Sequence, residues 1–414
     1  MQVSHPHVPV DAGTGHVIVV HPWQDRYAHY TSYLDHSARP VTYVTTEVGQ
    51  KGVPVEAAAV VVLGETTDQE ALDSAVSDLV RKFGNPEGIV ALKEADLPAV
   101  SRLRAQYGAP GARPEELSRF LDKYEMLQAV SALGLPLPKF SLAHSTNEVL
   151  AFAEDAGWPL ITKKLSGSAS QGVSQLDGPE DLHRVRLDGP MVLQEYRQHP
   201  IIHVDGFCSG DRLGPWRASR YIGTCLAFTT GDPLGSVEID DPAILDVVGR
   251  FTEDLLTGLS SKPRVFHLEL FLYQDRDGGW KCEFLEVGSR TGGAEVSFVW
   301  RDVHGIDLMG AETALQMGHV PSLRGFHQDE PVAGWLLAPV PMKRPCRVVE
   351  ASSMVGPGQA YAEKVTSAGG VIPAGGSFYE HVGGRFRFSG SSSSEVEKAV
   401  RRTIEGFHLV CEPA

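Results

Sequence analysis

Two glutamates on adjacent apolar stretches are the residues whose types and spacing promise the most chemistry. The stretch Phe266-His267-Leu268-Glu269-Leu270-Phe271 leads into Asp275-Arg276-Asp277-Gly278-Gly279, and Trp280-Lys281-Cys282-Glu283-Phe284-Leu285-Glu286-Val287 follows. A turn of that composition between two apolar runs predicts a β-hairpin, which sets Glu269 and Glu286 across from one another. Strict alternation places Glu286 with Cys282 and Phe284, places Glu269 with His267 and Phe271, and leaves Glu283 on a solvated face. A carboxylate on an apolar face needs a proton, a cation or hydrogen bonds to offset its burial. Two of them on neighbouring strands favour a shared hard cation, Mg²⁺; a plain hairpin with solvated glutamates is the other reading. Directly beyond lies Gly288-Ser289-Arg290-Thr291-Gly292-Gly293, a glycine-bracketed arginine suited to an anionic reactant.

A second segment, Ile161-Thr162-Lys163-Lys164-Leu165-Ser166-Gly167-Ser168-Ala169-Ser170-Gln171-Gly172-Val173, sets a lysine at the base of a loop of small residues. Small residues let backbone N–H groups approach an anion, and the lysine supplies a point charge for phosphate. The Gly-x-x-x-x-Gly-Lys-Ser order of a P-loop is absent, and an ordinary hairpin turn is the competing reading. Further on, Met191-Val192-Leu193-Gln194-Glu195-Tyr196-Arg197 ends a strand in polar residues. Such an end offers backbone groups to an adenine edge, or is simply a strand exit. Arg220, in Arg217-Ala218-Ser219-Arg220-Tyr221, is either a carboxylate ligand or an exposed charge before a strand.

The elements that must position these residues begin with alternating strand and helix. Runs at 16–20, 41–46, 57–63 and 88–92 read as strands, the densest of them (57–63) as a buried one. Between the last two, 68–83 has helical spacing with Asp68 as its N-cap. The pattern predicts a doubly wound parallel sheet over 1–114. The only Gly-x-Gly there, Gly13-Thr14-Gly15, precedes its strand, so a dinucleotide fingerprint is absent. A single helix is expected over 115–133, then a small α+β subdomain to 188, a β-rich part over 189–325 and a last α+β unit over 326–414. The fold class is thus α/β and α+β.

Composition sets the outer limits. The chain has 414 residues, enough for several subdomains, with 42% hydrophobic and 21% charged residues, ordinary for a globular protein. A formal charge of -15 disfavours nucleic acid as a partner. No run approaches a membrane span and no secretory signal is visible, so the expectation is a cytoplasmic protein without a membrane partner. Five scattered cysteines without a Cys-x-x-Cys pair fit reduced thiols and disfavour zinc.

In their order, these segments resemble the ATP-grasp superfamily over about 120–318. The resemblance is carried by Asp122-Lys123, the strand ending on Lys163, the loop after it, Gln194-Glu195-Tyr196, His203-Val204-Asp205-Gly206, Glu269, and the segment from Glu286 to Gly293. The subgroup it is most similar to comprises carboxylate–amine ligases that join amino acids. It implies ATP and Mg²⁺ as cofactors and small amino acids as substrates, and leaves the oligomeric state open, a homodimer included. It implies that Lys123 and Lys163 reach the ATP phosphates, and that Ser166, Gly167, Ser168, Ala169 and Ser170 close over them. Gln194, Glu195 and Arg197 would meet adenine, and Glu269 and Glu286 would hold Mg²⁺. Arg290 would take the acylphosphate or a substrate carboxylate, with Gly292 and Gly293 permitting close approach.

The chain departs from the family pattern where it matters for metal count. Gly288 stands in place of the usual asparagine ligand, and the usual ribose-binding glutamate falls near Ile201, leaving Asp205 or His203 as substitutes. The implied reaction phosphorylates a carboxylate, because oxide is a poor leaving group, and an amine then attacks the acylphosphate. Lys163 and Arg290 supply positive charge, and His267 and Glu295 are candidates for the base or for the acceptor pocket. Acyl transfer to a carrier thiol, a carboxylase, and a nucleotide-binding module without catalysis are the alternatives.

Overall fold

The computed structural model describes residues 15–23, 27–167, 172–184, 188–326, 330–374 and 382–414. The chain opens with β1 (His16–His21), a short α1 (Tyr30–Tyr33), β2 (Val41–Thr46), β3 (Ala59–Leu63), α2 (Gln69–Phe83), β4 (Pro86–Ala91) and α3 (Leu97–Tyr107). The strands form a parallel sheet in the order β3-β2-β1-β4. Its central strands are β-branched and buried on both faces, as parallel sheets require. Leu72, Val76 and Leu79 of α2 cover one face; Tyr30 and Tyr33, with Met309 and Met317 from far along the chain, cover the other. Asp68 caps α2, its carboxylate accepting from the Ala71 N–H at 3.1 Å. The 57–63 run differs from expectation: β3 is an edge strand whose residues alternate between half-buried and exposed, because it has one partner strand only.

The helix expected over 115–133 is two, α4 (Pro114–Leu121) and α5 (Lys123–Ala132). Asp122 leaves helical geometry at φ -92°, ψ 114°, and its carboxylate accepts from the N–H groups of Tyr124 and Glu125, both at 2.9 Å. The break frees the Lys123 N–H to donate to the Leu165 carbonyl at 2.8 Å, which seats this lysine beside the small-residue loop. Asp122→Ala is expected to cost about 1 kcal/mol of stability, read as a lower urea midpoint; an unchanged midpoint would remove Asp122 as a cap.

A small antiparallel sheet follows, made of β5 (Phe140–Ala143), β6 (Leu160–Lys164), β7 (Ser174–Leu176) and β8 (Met191–Glu195) in the order β5-β8-β6-β7, with α6 (Thr146–Ala156) packed on it. The rest of the chain comprises β9 (Ile201–Cys208), β10 (Leu213–Ile222), α7 (Cys225–Phe228), β11 (Leu234–Glu238), α8 (Pro242–Leu259), β12 (Arg264–Gln274), β13 (Trp280–Gly288), α9 (Val296–His304), α10 (Leu308–Gln316), β14 (Val332–Ala338), β15 (Cys346–Ala351), β16 (Ala362–Val365), β17 (Val371–Ile372), β18 (Gly384–Gly390), α11 (Ser393–Gly406) and β19 (Leu409–Pro413). Eight of these strands build one antiparallel sheet, β13-β12-β9-β10-β11-β14-β18-β16, and β17-β15-β19 form a separate one. One face of the large sheet is apolar: Ile202, Val204, Leu268, Leu270 and Phe284 pack on Met126 and Val130 of α5 and on Val248 and Leu255 of α8. Its other face carries His203, Asp205 and Glu269 beside Phe207, Val265 and Trp335, which pack on Val299 and Trp300 of α9. Among the described residues no helix is long and apolar enough to cross a membrane.

Candidate active site

The hairpin forms as expected, but with one residue too many in its second strand. Glu269 pairs with Glu286, and its neighbour Leu270 pairs with Phe284, so Leu285 is a β-bulge. Alternation restarts past the bulge. Phe284 and Cys282 stay in the core, while Glu286 turns to the polar face with Glu269. Glu283, opposite Phe271, joins them there. Two expectations are corrected together: Glu286 does not share a face with Cys282 and Phe284, and Glu283 is buried rather than solvated. Glu283 accepts Nε and Nη2 of Arg197 at 2.7 and 2.8 Å, a bidentate pair that ties the exit of β8 to β13.

A chain of polar groups runs across the face from Glu269. The Tyr221 hydroxyl donates to its Oε1 at 2.8 Å, and His267 Nε2 lies 3.9 Å from the same oxygen. His267 Nδ1 bonds Asp205 Oδ1 at 2.8 Å, His203 Nδ1 bonds Asp205 Oδ2 at 2.6 Å, and His203 Nε2 bonds Ser236 Oγ at 2.6 Å. Burial works to raise the Asp205 carboxyl, but the two imidazoles outweigh it and hold the group well below the usual carboxylate range. Burial likewise lowers His267, and the Asp205 carboxylate more than offsets this, leaving the imidazole raised. Gly292 closes over the pair: a Cβ there would lie 2.2 Å from Asp205 Oδ1. Asp205 and His203 are thus bonded to each other, and both are buried in the sheet's polar face.

Cations cluster at the Glu286 end. Lys123 Nζ donates to Glu286 Oε1, and Lys163 Nζ to Gln194 Oε1 at 2.8 Å. Burial pushes the Lys163 ammonium down to about 8, opposed by Glu286. Burial also acts to raise Glu286, but Lys123 and Lys163 prevail and hold it lower. The amide nitrogen of Gln194 is buried and has no acceptor among the described residues. Arg290 Nε donates to Glu94 Oε2, and its Nη1 to the Thr291 carbonyl at 3.0 Å. Glu94 raises the guanidinium against the effect of burial. A Cβ at Gly288 would stand 3.4 Å from Arg290 Cγ and 3.5 Å from Glu94 Oε2, so the Glu94–Arg290 pair, Glu94 coming from the turn after β4, fills the space beside the missing side chain.

Other expected positions are placed as follows. Ser166 and Gly167 begin the loop after β6, whereas Ser168, Ala169 and Ser170 lie outside the described residues. Glu195 pairs with Arg197. Arg220 is a correction: it lies within β10, on the face opposite to Tyr221 and Ser219, and donates to Glu397 of α11 at 2.9 Å. The polar face of that strand belongs to Tyr221, one residue on. Glu295 is also drawn elsewhere, with no exposure and bonds from Nε of Arg385 and of Arg387. Gly293 caps the loop where α9 begins. Sequence reasoning missed Glu94 and Tyr221. Glu94 had a signal, since it follows the carboxyl end of a strand of a parallel sheet, where ligands gather. Tyr221 had one in the alternation with Arg217 and Ser219, once the strand is extended to include them.

Comparison with known proteins sets this geometry in context. Over 96% of this chain and 98% of the other, it superposes on the crystal structure of L-amino acid ligase from Bacillus licheniformis with a TM-score of 0.74 at 17% sequence identity. The chain has the ATP-grasp fold. No family model matches the sequence. The uncharacterized protein y4rH of Sinorhizobium fredii is 28% identical over 148 residues, 35% of this chain. An L-arginine-specific L-amino acid ligase of Bacillus subtilis is 26% identical over 127 residues, 30% of this chain. The chain spans only 30% of the length of each of these two relatives in the matched stretch. The chain matches the expected architecture: a parallel N-terminal sheet, a small subdomain of helix and sheet, and a large antiparallel part.

Proposed function

We propose that the chain is an ATP-dependent ligase that phosphorylates the carboxylate of one amino acid and joins it to the amine of a second, releasing ADP and phosphate. The observation that carries this reading is the position of Arg290, whose guanidinium feels the fields of both Glu286 and Glu94. A zwitterion entering there would offer its carboxylate to Arg290 and its ammonium to Glu94, replacing one ion pair by two. The likeness to proteins described as L-amino acid ligases supports the same substrate class.

The residues fit a hard cation. Glu269 and Glu286 are directly opposed and offer oxygen only, and the Lys123 ammonium already rests on Glu286 where positive charge is wanted. Mg²⁺ held by these two carboxylates would neutralise charge on the phosphates. Lys123 and Lys163 bind phosphate oxygens, and the backbone N–H groups of Ser166 and Gly167 at the start of the loop after β6 add to them. The unpaired Gln194 amide stands ready to donate to the nucleotide. Arg290 fixes the donor carboxylate in line for phosphoryl transfer, which needs positioning more than covalent help. Asp205 fixes the His267 ring through Nδ1 and strengthens it as a base, so Nε2 is the atom that takes a proton from the attacking amine.

The test is phosphate release by the purified chain with ATP and Mg²⁺ over pairs of amino acids, with the product weighed by mass spectrometry. Release that requires amino acids and yields a dipeptide mass is expected. Release that requires a carrier thiol instead, or none with any pair, would overturn the reading.

A further inference from the structure

Helix α10 carries a buried carboxylate that the proposed reaction leaves unused. Glu312 is 3% exposed, and such a group persists only where hydrogen bonds and cations offset its desolvation. Its Oε2 accepts from both the N–H and the hydroxyl of Thr291 at 3.0 Å, and its Oε1 from Nε2 of Gln316 at 3.3 Å. Gln316 clasps the last residue of β4 in turn: its Oε1 accepts the Ala91 N–H and its Nε2 donates to the Ala91 carbonyl, both at 2.8 Å. Arg104 of α3 donates to that same Oε1 and to the Ile89 carbonyl. A short step along the chain from Ala91 stands Glu94, the partner of Arg290, and Arg290 adjoins Thr291. The contacts close a ring, from Ala91 through Glu94, Arg290, Thr291, Glu312 and Gln316 back to Ala91.

We infer that Glu312 is a positioning residue, whose hold on Thr291 keeps the Arg290 guanidinium aimed at the donor carboxylate. This rests on the reading of Arg290 given above. A substrate that parts Arg290 from Glu94 opens the ring on one side. The Thr291–Glu312–Gln316 side then remains the contact that aligns the loop with the N-terminal sheet. The groups bonded to the Glu312 carboxylate are all donors, the charged groups whose fields reach it are Arg290 and Arg104, and Tyr30 of α1 is its other titratable neighbour. Such a set holds the anion. Burial nevertheless pushes the carboxyl up to about 7, against the Thr291 bonds and the two arginines. An acid is anionic above its pKa, so the clasp is complete above about 7 and weakens as the pH falls below it.

Glu312→Gln in the full chain tests this, with donor and ATP titrated separately. The KM for the donor amino acid is expected to rise about tenfold while the KM for ATP changes by less than about twofold. The wild-type decline in donor kcat/KM below pH 7 should flatten in the variant, which a merely structural contact would not produce. A crystal structure of the variant should show Arg290 turned away from Glu94. Equal changes in both KM values, or Arg290 unmoved, would overturn the inference. Should Glu312→Gln fail to fold, Thr291→Val removes only the hydroxyl bond and is expected to raise the donor KM about threefold, and an unchanged value counts against the clasp. A wild-type chain inert with every amino acid would defeat the ligase reading instead, and the position of Arg290 in the variant would still decide this one.

Discussion

Glu286→Gln is expected to lower amino-acid-dependent phosphate release by at least about a hundredfold to a thousandfold. Two losses combine. The substitution removes one of the two opposed carboxylates that suit a cation, and it removes the charge that keeps Lys163 protonated. Lys163 is buried, and burial alone drives its ammonium down; Glu286 is the first group acting against that. Without Glu286 the lysine moves further below about 8, so it is neutral at a pH where the wild type still carries the charge. A lysine is charged below its pKa, so the variant's loss relative to wild type should be smaller at pH 6 than at pH 8. Glu283→Gln is the control on the same face of the same strand. Its carboxylate serves Arg197, so a loss of under about tenfold is expected. Equal losses in the two variants, or turnover by Glu286→Gln at the wild-type rate, would take Glu286 out of the phosphate end of the site.

The difference between those two glutamates was not legible in the sequence, and the reason is one residue. Period-two alternation assigns faces correctly along β12, where Glu269 and His267 fall together on the polar side. It fails along β13 because Leu285 is bulged, and a single inserted residue reverses every assignment on one side of it. Nothing in Phe284-Leu285-Glu286 signals a bulge, since the residues on both sides are equally suited to a strand. What the sequence did carry were local properties: the Asp68 cap, the parallel sheet from β-branched runs separated by a helix, and the hairpin turn at 275–279. The break at Asp122 was also written locally, as an aspartate able to cap the next helix, but the continuous apolar spacing of 117–127 masks it. Contacts between distant segments were out of reach. Glu94 and Arg290 are far apart in the chain and meet only because α10 lies between the N-terminal sheet and β12.

That meeting point yields the second large effect. Arg290→Lys keeps the positive charge but loses the planar fork, so it separates charge from geometry. An ammonium can still pair with Glu94, yet it cannot hold a carboxylate through two parallel N–H bonds while Thr291 keeps its own. A fall of about a hundredfold in kcat/KM for the donor is expected, about 2.7 kcal/mol of lost transition-state stabilisation. The nucleotide should bind as before, because Lys123 and Lys163 are untouched. Glu94→Gln probes the other half of the pair. Here the guanidinium keeps its fork, but the substrate ammonium loses its anion, so the cost should fall on the donor KM more than on kcat. The two variants then part company with an N-acetylated donor, which has no ammonium to offer. Arg290→Lys should be as damaging for it as for the free amino acid, whereas Glu94→Gln should cost nothing further. If both variants lose the same factor with both donors, the Glu94–Arg290 pair is a structural strut between the sheets. The donor carboxylate must then be sought elsewhere on the polar face.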